Sequence, residues 1–480
     1  VSTWTKKLNL LTPERYIEKT LDWRRATDQP ADPNDIESYL ENNEIENFRN
    51  GTTIDPWEEV AQDASIQSYD LSISGKLENT NYYLSMAYTD EEGLIYGDDA
   101  QRIALRSNLQ VSLNSWLNVG MTAQFTHRDL SGVEADLGNA YYLSPYGEMY
   151  FNGDRNDPVP FPSNETLNVN PMFAAIFDDN EEKYNNLFAN FFATIDFPFL
   201  EGLSYRLNAS PNLRWSHEYN FTPNYQSEEF LRQSSASKVD RQNFDWVIEN
   251  ILKYEVNVDE IHDFDVTFLY GRNQFNTDST LANGDFFFNN ATGWDNLGLA
   301  EVQTIASERT QLDQISVMGR LNYRLMNKYL FTLTARRDGS SVFGADNKWG
   351  TFPSAAVAWI ASEEDFLQNI ALVNYLKVRA SYGRIGNQGL NPYSSLNRMR
   401  LVQYVFGNQS PTYVGLQPSQ MGNPELGWET STSANLALEF GVLNNRISGT
   451  VELYQTNTED LLLNRAIPEL NGFNSVRRNR

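Results

Sequence analysis

Residues 336–362 read RRDGSSVFGADNKWGTFPSAAVAWIAS. Two arginines, an aspartate and a Gly-Ser-Ser run lead into a loop with aromatic and charged residues, and an alternating apolar strip follows. Asp338-Gly339-Ser340 ends one strand and Asn347-Lys348-Trp349-Gly350 begins the next, with Trp349 placed for a membrane interface. Pro353 falls inside that second strand, where it forfeits a ladder hydrogen bond, so pairing must bulge or break there. The longest uninterrupted apolar run, Ala355–Ala361, is far short of the roughly 18 residues a membrane helix needs.

The same pattern recurs along the chain. Ile103, Leu105, Leu109, Val111 and Leu113 alternate with Arg102, Arg106, Asn108, Gln110 and Ser112. Leu117, Val119, Met121, Ala123 and Phe125 do so next, then Ile315, Val317, Leu321, Tyr323 and Leu325, then Val451 and Leu453. Period-two alternation signals strands with one apolar and one polar face. The spacing gives fourteen strands, near 67–76, 80–91, 101–113, 116–129, 183–198, 202–221, 237–256, 261–282, 307–325, 328–341, 350–361, 374–386, 428–441 and 445–460.

The connections decide between a sandwich and a barrel. Short ones (76–79, 114–115, 200–201, 257–260, 326–327, 362–373, 442–444) alternate in strict order with long ones (92–100, 130–182, 222–236, 281–305, 341–349, 387–427). An up-and-down transmembrane antiparallel β-barrel sorts its loops this way, with short turns on the periplasmic side and long loops outside. The strands exceed the 5–6 residues typical of sandwiches and reach the 9–11 that a membrane requires. Tyr82, Tyr88, Phe197, Tyr205, Tyr323, Tyr329, Trp359, Tyr375 and Phe440 gather at strand ends, as interfacial girdles would.

Composition excludes several functions. The chain has 480 residues, 13% of them aromatic, and a formal net charge of −26. That charge disfavours nucleic acid as a partner, since phosphate contacts need clustered Lys and Arg. There is no cysteine, hence no disulfide framework or thiolate site, and three histidines, His127, His217 and His262, are too few for a His-rich metal centre. The mean hydropathy of −0.52 is no argument against a barrel, whose polar inner face offsets its apolar outer face. The start, VSTWTKK, shows no signal peptide. Thr12-Pro13-Glu14 opens a helix, with Thr12 as N-cap and Pro13 at its first position, running to about Arg25. Ser362-Glu363-Glu364-Asp365 reads as a capping box opening a single turn.

The quoted block resembles the SusC/RagA-like family of TonB-dependent outer-membrane transporters of Bacteroidota. The matching residues are Arg336-Arg337-Asp338-Gly339-Ser340-Ser341, Phe343-Gly344, Asn347-Lys348-Trp349-Gly350, Phe352-Pro353-Ser354, Ala358-Trp359 and Ser362-Glu363-Glu364. Leu376-Lys377-Val378-Arg379-Ala380-Ser381-Tyr382-Gly383, Gly386-Asn387-Gln388 and Asn423-Pro424-Glu425-Leu426-Gly427-Trp428-Glu429-Thr430 continue it, and Tyr454–Leu463 and Ile66–Gly75 support it. The resemblance implies a barrel of about 22 strands with a plugged lumen. Residues 1–66 would then be the end of an early barrel strand (Val1–Leu8) plus an extracellular loop with a short helix, and 67–480 an incomplete barrel. The family's plug domain, TonB box and last strands are not among these residues, so the chain reads as a fragment of a longer polypeptide.

The function so implied is import of an oligosaccharide or peptide, under a SusD-like lipoprotein lid, energised through the TonB complex. A lipid bilayer with lipopolysaccharide would surround it. No cofactor, metal or catalytic residue is implied. The residues alone leave a passive porin or an attachment barrel open. Substrate contacts are expected from long loops: Tyr141, Tyr142, Tyr146 and Tyr150, with Phe151 beside them, then Trp294, Tyr393 and Tyr413 as stacking aromatics, and Asn387 and Gln388 as hydrogen-bonding partners. Adjacent acids such as Asp178-Asp179 and Glu363-Glu364 offer no glycosidase geometry, because neighbours on a strand face opposite ways. Asp154-Arg155-Asn156-Asp157 lacks the glycine and terminal Glu of a calcium loop and reads as a solvated turn.

Overall fold

The computed structural model describes residues 10–163, 168–227, 230–368, 370, 372–407 and 412–480. The expected strand tail at Val1–Leu8 lies outside the described residues. Fourteen antiparallel strands form one sheet, each paired with the next in the chain. They are β1 Ser65–Leu77, β2 Thr80–Glu92, β3 Asp99–Ser112, β4 Leu117–Asp129, β5 Asp179–Asp196, β6 Leu203–Thr222, β7 Ser235–Val258, β8 His262–Phe287, β9 Ala300–Leu325, β10 Tyr329–Ser340, β11 Trp349–Ile360, β12 Val373–Asn387, β13 Glu429–Val442 and β14 Ile447–Glu459. The sheet is not closed on itself; β1 and β14 stand at its edges.

Pairing places equivalent residues in rows. Leu71, Met86, Leu105, Phe125, Leu187, Leu213 and Phe244 lie side by side across seven strands. Phe264, Tyr323, Phe331, Val357, Ala380, Leu436 and Leu453 form a second such row across the remaining seven. These side chains do not converge on a centre: Leu71 is 75% exposed, Leu105 41% and Leu453 67%. The opposite face carries rows such as Ser72, Ser85, Arg106, Gln124 and Arg320, Thr334, Ser354, Gly383, Ser433, Thr456. A continuous exposed apolar belt is stable only against a nonaqueous neighbour, and the alternation assigns it to lipid. The girdle residues Tyr82, Tyr205, Tyr323, Tyr329, Trp359 and Phe440 share this apolar parity.

The belt does not follow one row. Its upper limit is the Tyr69–Tyr88 pair on the first strands and the Leu436–Leu453 pair on the last. Traced along the pairing to β8, those rows meet Asp278 and Phe264, 14 residues apart over 13 strand steps. A shift of about one residue per strand is what tilted strands in a staggered barrel wall produce if the belt stays level with the membrane.

Several boundaries differ from the sequence reading. β7, β8 and β9 run 24, 26 and 26 residues. At about 3.4 Å per residue they are roughly 80 Å long, well beyond a hydrocarbon band about 25 Å tall. Much of the expected loop 281–305 is therefore ladder, and only 288–299 remains as connection. Polar residues such as Asn283 and Gln303 concealed this, because a strand outside the membrane has no need of an apolar face. The loop 387–427 holds its own hairpin, Arg398–Tyr404 paired with Tyr413–Gln420. The short turns are tight: Met326 and Asn327 take φ of 53° and 58°, the left-handed pair a two-residue hairpin requires.

The helix at Pro13–Ala26 forms as expected, with the Arg15 backbone N–H donating to Thr12 Oγ1 at 3.4 Å. The capping box at Ser362 does not form. The chain makes a 3-10 turn at Ala361–Glu363, Ser362 Oγ has no partner, and the helix Asp365–Gln368 follows. Glu364 is taken instead by the barrel: Tyr329 Oη donates to Oε1 at 2.6 Å, Trp359 Nε1 to Oε1 at 3.1 Å and Lys328 Nζ to Oε2 at 3.1 Å. Pro353 behaves as anticipated on one side. It keeps its place opposite Ala335 of β10, while pairing with β12 begins only at Ser354.

Two outcomes follow. Leu187→Arg should impair insertion into bilayers by about 2–4 kcal/mol, while Gln124→Arg on the polar face should cost little; equilibrium folding into vesicles reads both. Hydrogen bonds from Tyr329, Trp359 and Lys328 hold the Glu364 carboxyl below its ordinary range. Its stabilisation is therefore complete above the unfolded value of about 4.3 and is lost as pH falls through the lower folded one. Glu364→Gln should lower the melting temperature at neutral pH and remove that acid-side dependence.

Candidate functional site

The apolar belt leaves no core between the faces of the sheet, so the buried clusters lie in the long loops and at the strand ends beside them. Val342, Phe343 and Leu426 are 1%, 1% and 0% exposed and pack with Leu312, Leu390, Trp428 and Leu462. The block around 336–352 and the segment Asn423–Thr430 thus clasp each other. The Gly344 N–H donates to Leu426 O at 2.9 Å, Asn347 Nδ2 to Glu425 O at 2.7 Å, and Trp428 Nε1 to Lys348 O at 3.1 Å. A Cβ on Gly344 would lie 1.7 Å from Pro424 O, so glycine is required for the approach. Phe352 turns in to meet Trp428 edge-on, ring centroids 5.4 Å apart.

Beneath this clasp, on the polar face, lies a cavity of about 490 Å³. Ser316, Thr334, Arg336, Asp338 and Ser354 form its floor, with Phe352, Gln388 and Trp428 at its wall. Arg336 Nε donates to both oxygens of Asp338 at 3.0 and 2.8 Å, and Ser316 Oγ donates to Asp338 Oδ1 at 2.6 Å. Arg336 NH2 also donates to Ser316 Oγ at 3.0 Å. The floor is therefore charge-balanced and preorganised. Gln388, whose Oε1 is buried without a hydrogen-bond partner, is among the lining residues. Aromatic edges beside neutral hydrogen-bonding groups suit a polar, uncharged chain.

Of the residues expected to bind cargo, Gln388 lines this cavity. Asn387 ends β12 and is used locally: its Nδ2 donates to Glu429 Oε1 at 3.1 Å and its Oδ1 accepts from the Gly389 N–H. Tyr393 is a tether, its hydroxyl accepting the Gln311 N–H at 3.1 Å. Trp294 packs on the cluster of Phe221, Ala236, Phe287 and Ala300. Tyr413 is half exposed on the projecting hairpin, against Phe406.

The tyrosine cluster divides. Tyr146 is buried against Phe48 and Tyr16, and Tyr150 is buried with its hydroxyl donating to Glu59 Oε2 at 3.1 Å. Burial, then the Glu59 charge, push the Tyr150 phenol above its ordinary range, so it stays protonated as a strut between loops. Tyr141 stacks on Trp57 at 5.8 Å, and Tyr142 and Phe151 stay accessible. Asp154 Oδ1 accepts from the Asn156 backbone and side-chain nitrogens, closing a turn on itself. Among the described residues no group of His, Asp and Glu is arranged to hold a metal.

Arg336, Asp338 and Ser316 are not among the candidates expected from the sequence, where Arg336 and Asp338 enter only in the block that carries the family resemblance. Their i, i+2 spacing on a strand was the available signal. Gly344→Val should open the clasp: limited proteolysis should cut the 388–428 segment faster, with insertion into bilayers unchanged.

The chain matches the family described as TonB dependent receptor-like, beta-barrel, over residues 151–479. It is 32% identical to a TonB-dependent receptor of Formosa agariphila, over 87% of this chain and 42% of that protein. It is 29% identical to the TonB-dependent receptor SusC of Bacteroides thetaiotaomicron, over 88% and 44% respectively. Among solved structures it superposes on the RagAB peptide transporter with a TM-score of 0.77 at 22% identity, covering 89% of this chain and 48% of that one. The chain spans under half the length of these curated relatives. With an exposed apolar belt, a polar opposite face and strands joined in chain order, the chain belongs to the TonB-dependent receptor-like β-barrel family.

Proposed function

We propose that these residues form part of the barrel wall of a TonB-dependent nutrient importer of the bacterial outer membrane, with an oligosaccharide or peptide as cargo. The observation that carries the reading is the cavity on the polar face that holds the Arg336–Asp338 ion pair, roofed by the clasp and edged by Phe352, Trp428 and Gln388. A porin lumen needs no such preorganised, aromatic-edged pocket. Transport requires no covalent chemistry from it; cargo binding shifts a conformational equilibrium according to its differential affinity for the two states.

The complete polypeptide would supply a plug within the lumen and further strands beside β1 and β14, giving about 22 in all. Open edges in lipid support this, since each unpaired backbone group there costs several kcal/mol. A SusD-like lipoprotein would cover the loop side, and TonB would act through the plug.

The experiment is uptake by cells carrying Gln388→Ala or Arg336→Ala in the full-length protein. Each substitution removes about one or two hydrogen bonds to cargo, or the support for them, and should lower apparent affinity about tenfold with unchanged protein in the membrane. Unchanged uptake, or an intact native mass near 55 kDa together with constitutive ion conductance, would favour a plain porin.

A further inference from the structure

The upper edge of the belt descends across the sheet, from the row of Asp278 on the first strands to the row of Phe264 on the last, 14 residues over 13 strand steps. A line of that slope crosses β8 at Tyr270, β10 at Ala335 and β12 at Tyr382. The next outward-facing residue above each is an arginine: Arg272, Arg337 and Arg384. Successive ones stand two strands and two residues apart, about 12 Å in a sheet of ordinary spacing.

All three are exposed, and little on the protein neutralises them. Arg337 lies over the Trp349 ring at 5.2 Å and Arg272 over Trp246 at 5.6 Å. A guanidinium stacked on an indole keeps the N–H groups of its edge free. Arg384 NH2 donates to Thr430 Oγ1 at 2.9 Å, a neutral partner. Arg272 has Asp313 at 3.7 Å, too far for a hydrogen bond. The chain holds 63 acidic residues, yet none occupies an outward-facing position of β10, β11, β12 or β13. A positive arc therefore stands on a chain whose formal net charge is −26.

We propose that this arc binds the phosphate groups of anionic lipids in the outer leaflet. The inference rests on the membrane-barrel reading, which puts the long loops outside and the arc level with the headgroups of that leaflet. Charge names the occupant. A guanidinium presents paired N–H donors that match two phosphate oxygens, and arginines at a membrane surface draw anionic headgroups. Phe331, Leu333 and Ala335 lead down from Arg337, and Ala380 and Tyr382 from Arg384, so the acyl chains of the same lipid would lie against the belt. A zwitterionic phospholipid brings a phosphate already balanced by its own ammonium. Lipopolysaccharide brings phosphates without one, and is the probe to use.

The test uses the full-length protein in nanodiscs of phosphatidylethanolamine with purified lipopolysaccharide, either intact or with its phosphates removed enzymatically, read by native mass spectrometry. Wild type should retain the intact lipid about tenfold more than the dephosphorylated one, the weight of one to two arginines at a membrane surface. The double substitution Arg337→Gln with Arg384→Gln should lower retention of the intact lipid by a similar factor. Arg337→Lys with Arg384→Lys keeps the charge and should lose less, and Arg320→Gln on the polar face should lose nothing. Equal retention of the two lipids by wild type overturns the proposal without requiring any variant to fold. So does equal retention by wild type and the glutamine variant, or an equal loss from Arg320→Gln, which would make retention a matter of total charge. Insertion into nanodiscs without preference for the phosphorylated lipid sinks this surface alone; failure to insert sinks the barrel reading and this surface with it.

Discussion

A backbone amide in hydrocarbon has no water to bond to, and every feature of this sheet answers that constraint. Each strand from β2 to β13 has a paired neighbour on both sides, although β9 meets β10, and β12 meets β11, over less than half of its length. Pairing fixes register, register fixes parity, and parity separates the lipid-facing rows from the polar ones. A slip of one residue anywhere would turn Leu105 inward and Arg106 into lipid. The interruption at Pro353 lies where the polar face meets the loops, with Phe352 turned inward against Trp428.

Because the membrane replaces an internal core, the buried clusters among the described residues lie in the loops and at the strand ends beside them. The clasp of Phe343 and Leu426 does there what a globular interior does elsewhere. It also accounts physically for the block of residues that carries the family resemblance. Gly344 admits Pro424, Asn347 caps a carbonyl of the facing segment, and Trp428 spans the two. Those residues hold the roof of the cavity that Arg336, Asp338 and Ser316 line.

The two faces then serve different neighbours. The polar face presents Arg336, Asp338 and Gln388 to the lumen, and the apolar face ends upward in Arg272, Arg337 and Arg384 on alternate strands. One strand can supply both because adjacent residues point opposite ways. On β7, Phe244 lies in the lipid-facing row while Asp245 on the other face accepts from Arg214 NH2.

Strand number, antiparallel order, loop sorting and the lipid-facing set were legible in the sequence, because alternation and turn spacing are local properties of the chain. The N-cap at Thr12 and the consequence of Pro353 were legible for the same reason. The extent of β7–β9 was not, since beyond the membrane a strand needs only a paired neighbour and carries no apolar signature. Nor was the fate of the loop aromatics: Tyr142 and Tyr146 are the same residue type four positions apart, yet Phe48 and Tyr16 bury one and leave the other in water. The sequence by itself determined which side chains face lipid. Only the tertiary structure decided which polar ones meet in a cavity, because those contacts join residues tens of positions apart through pairing and loop packing that no local pattern records.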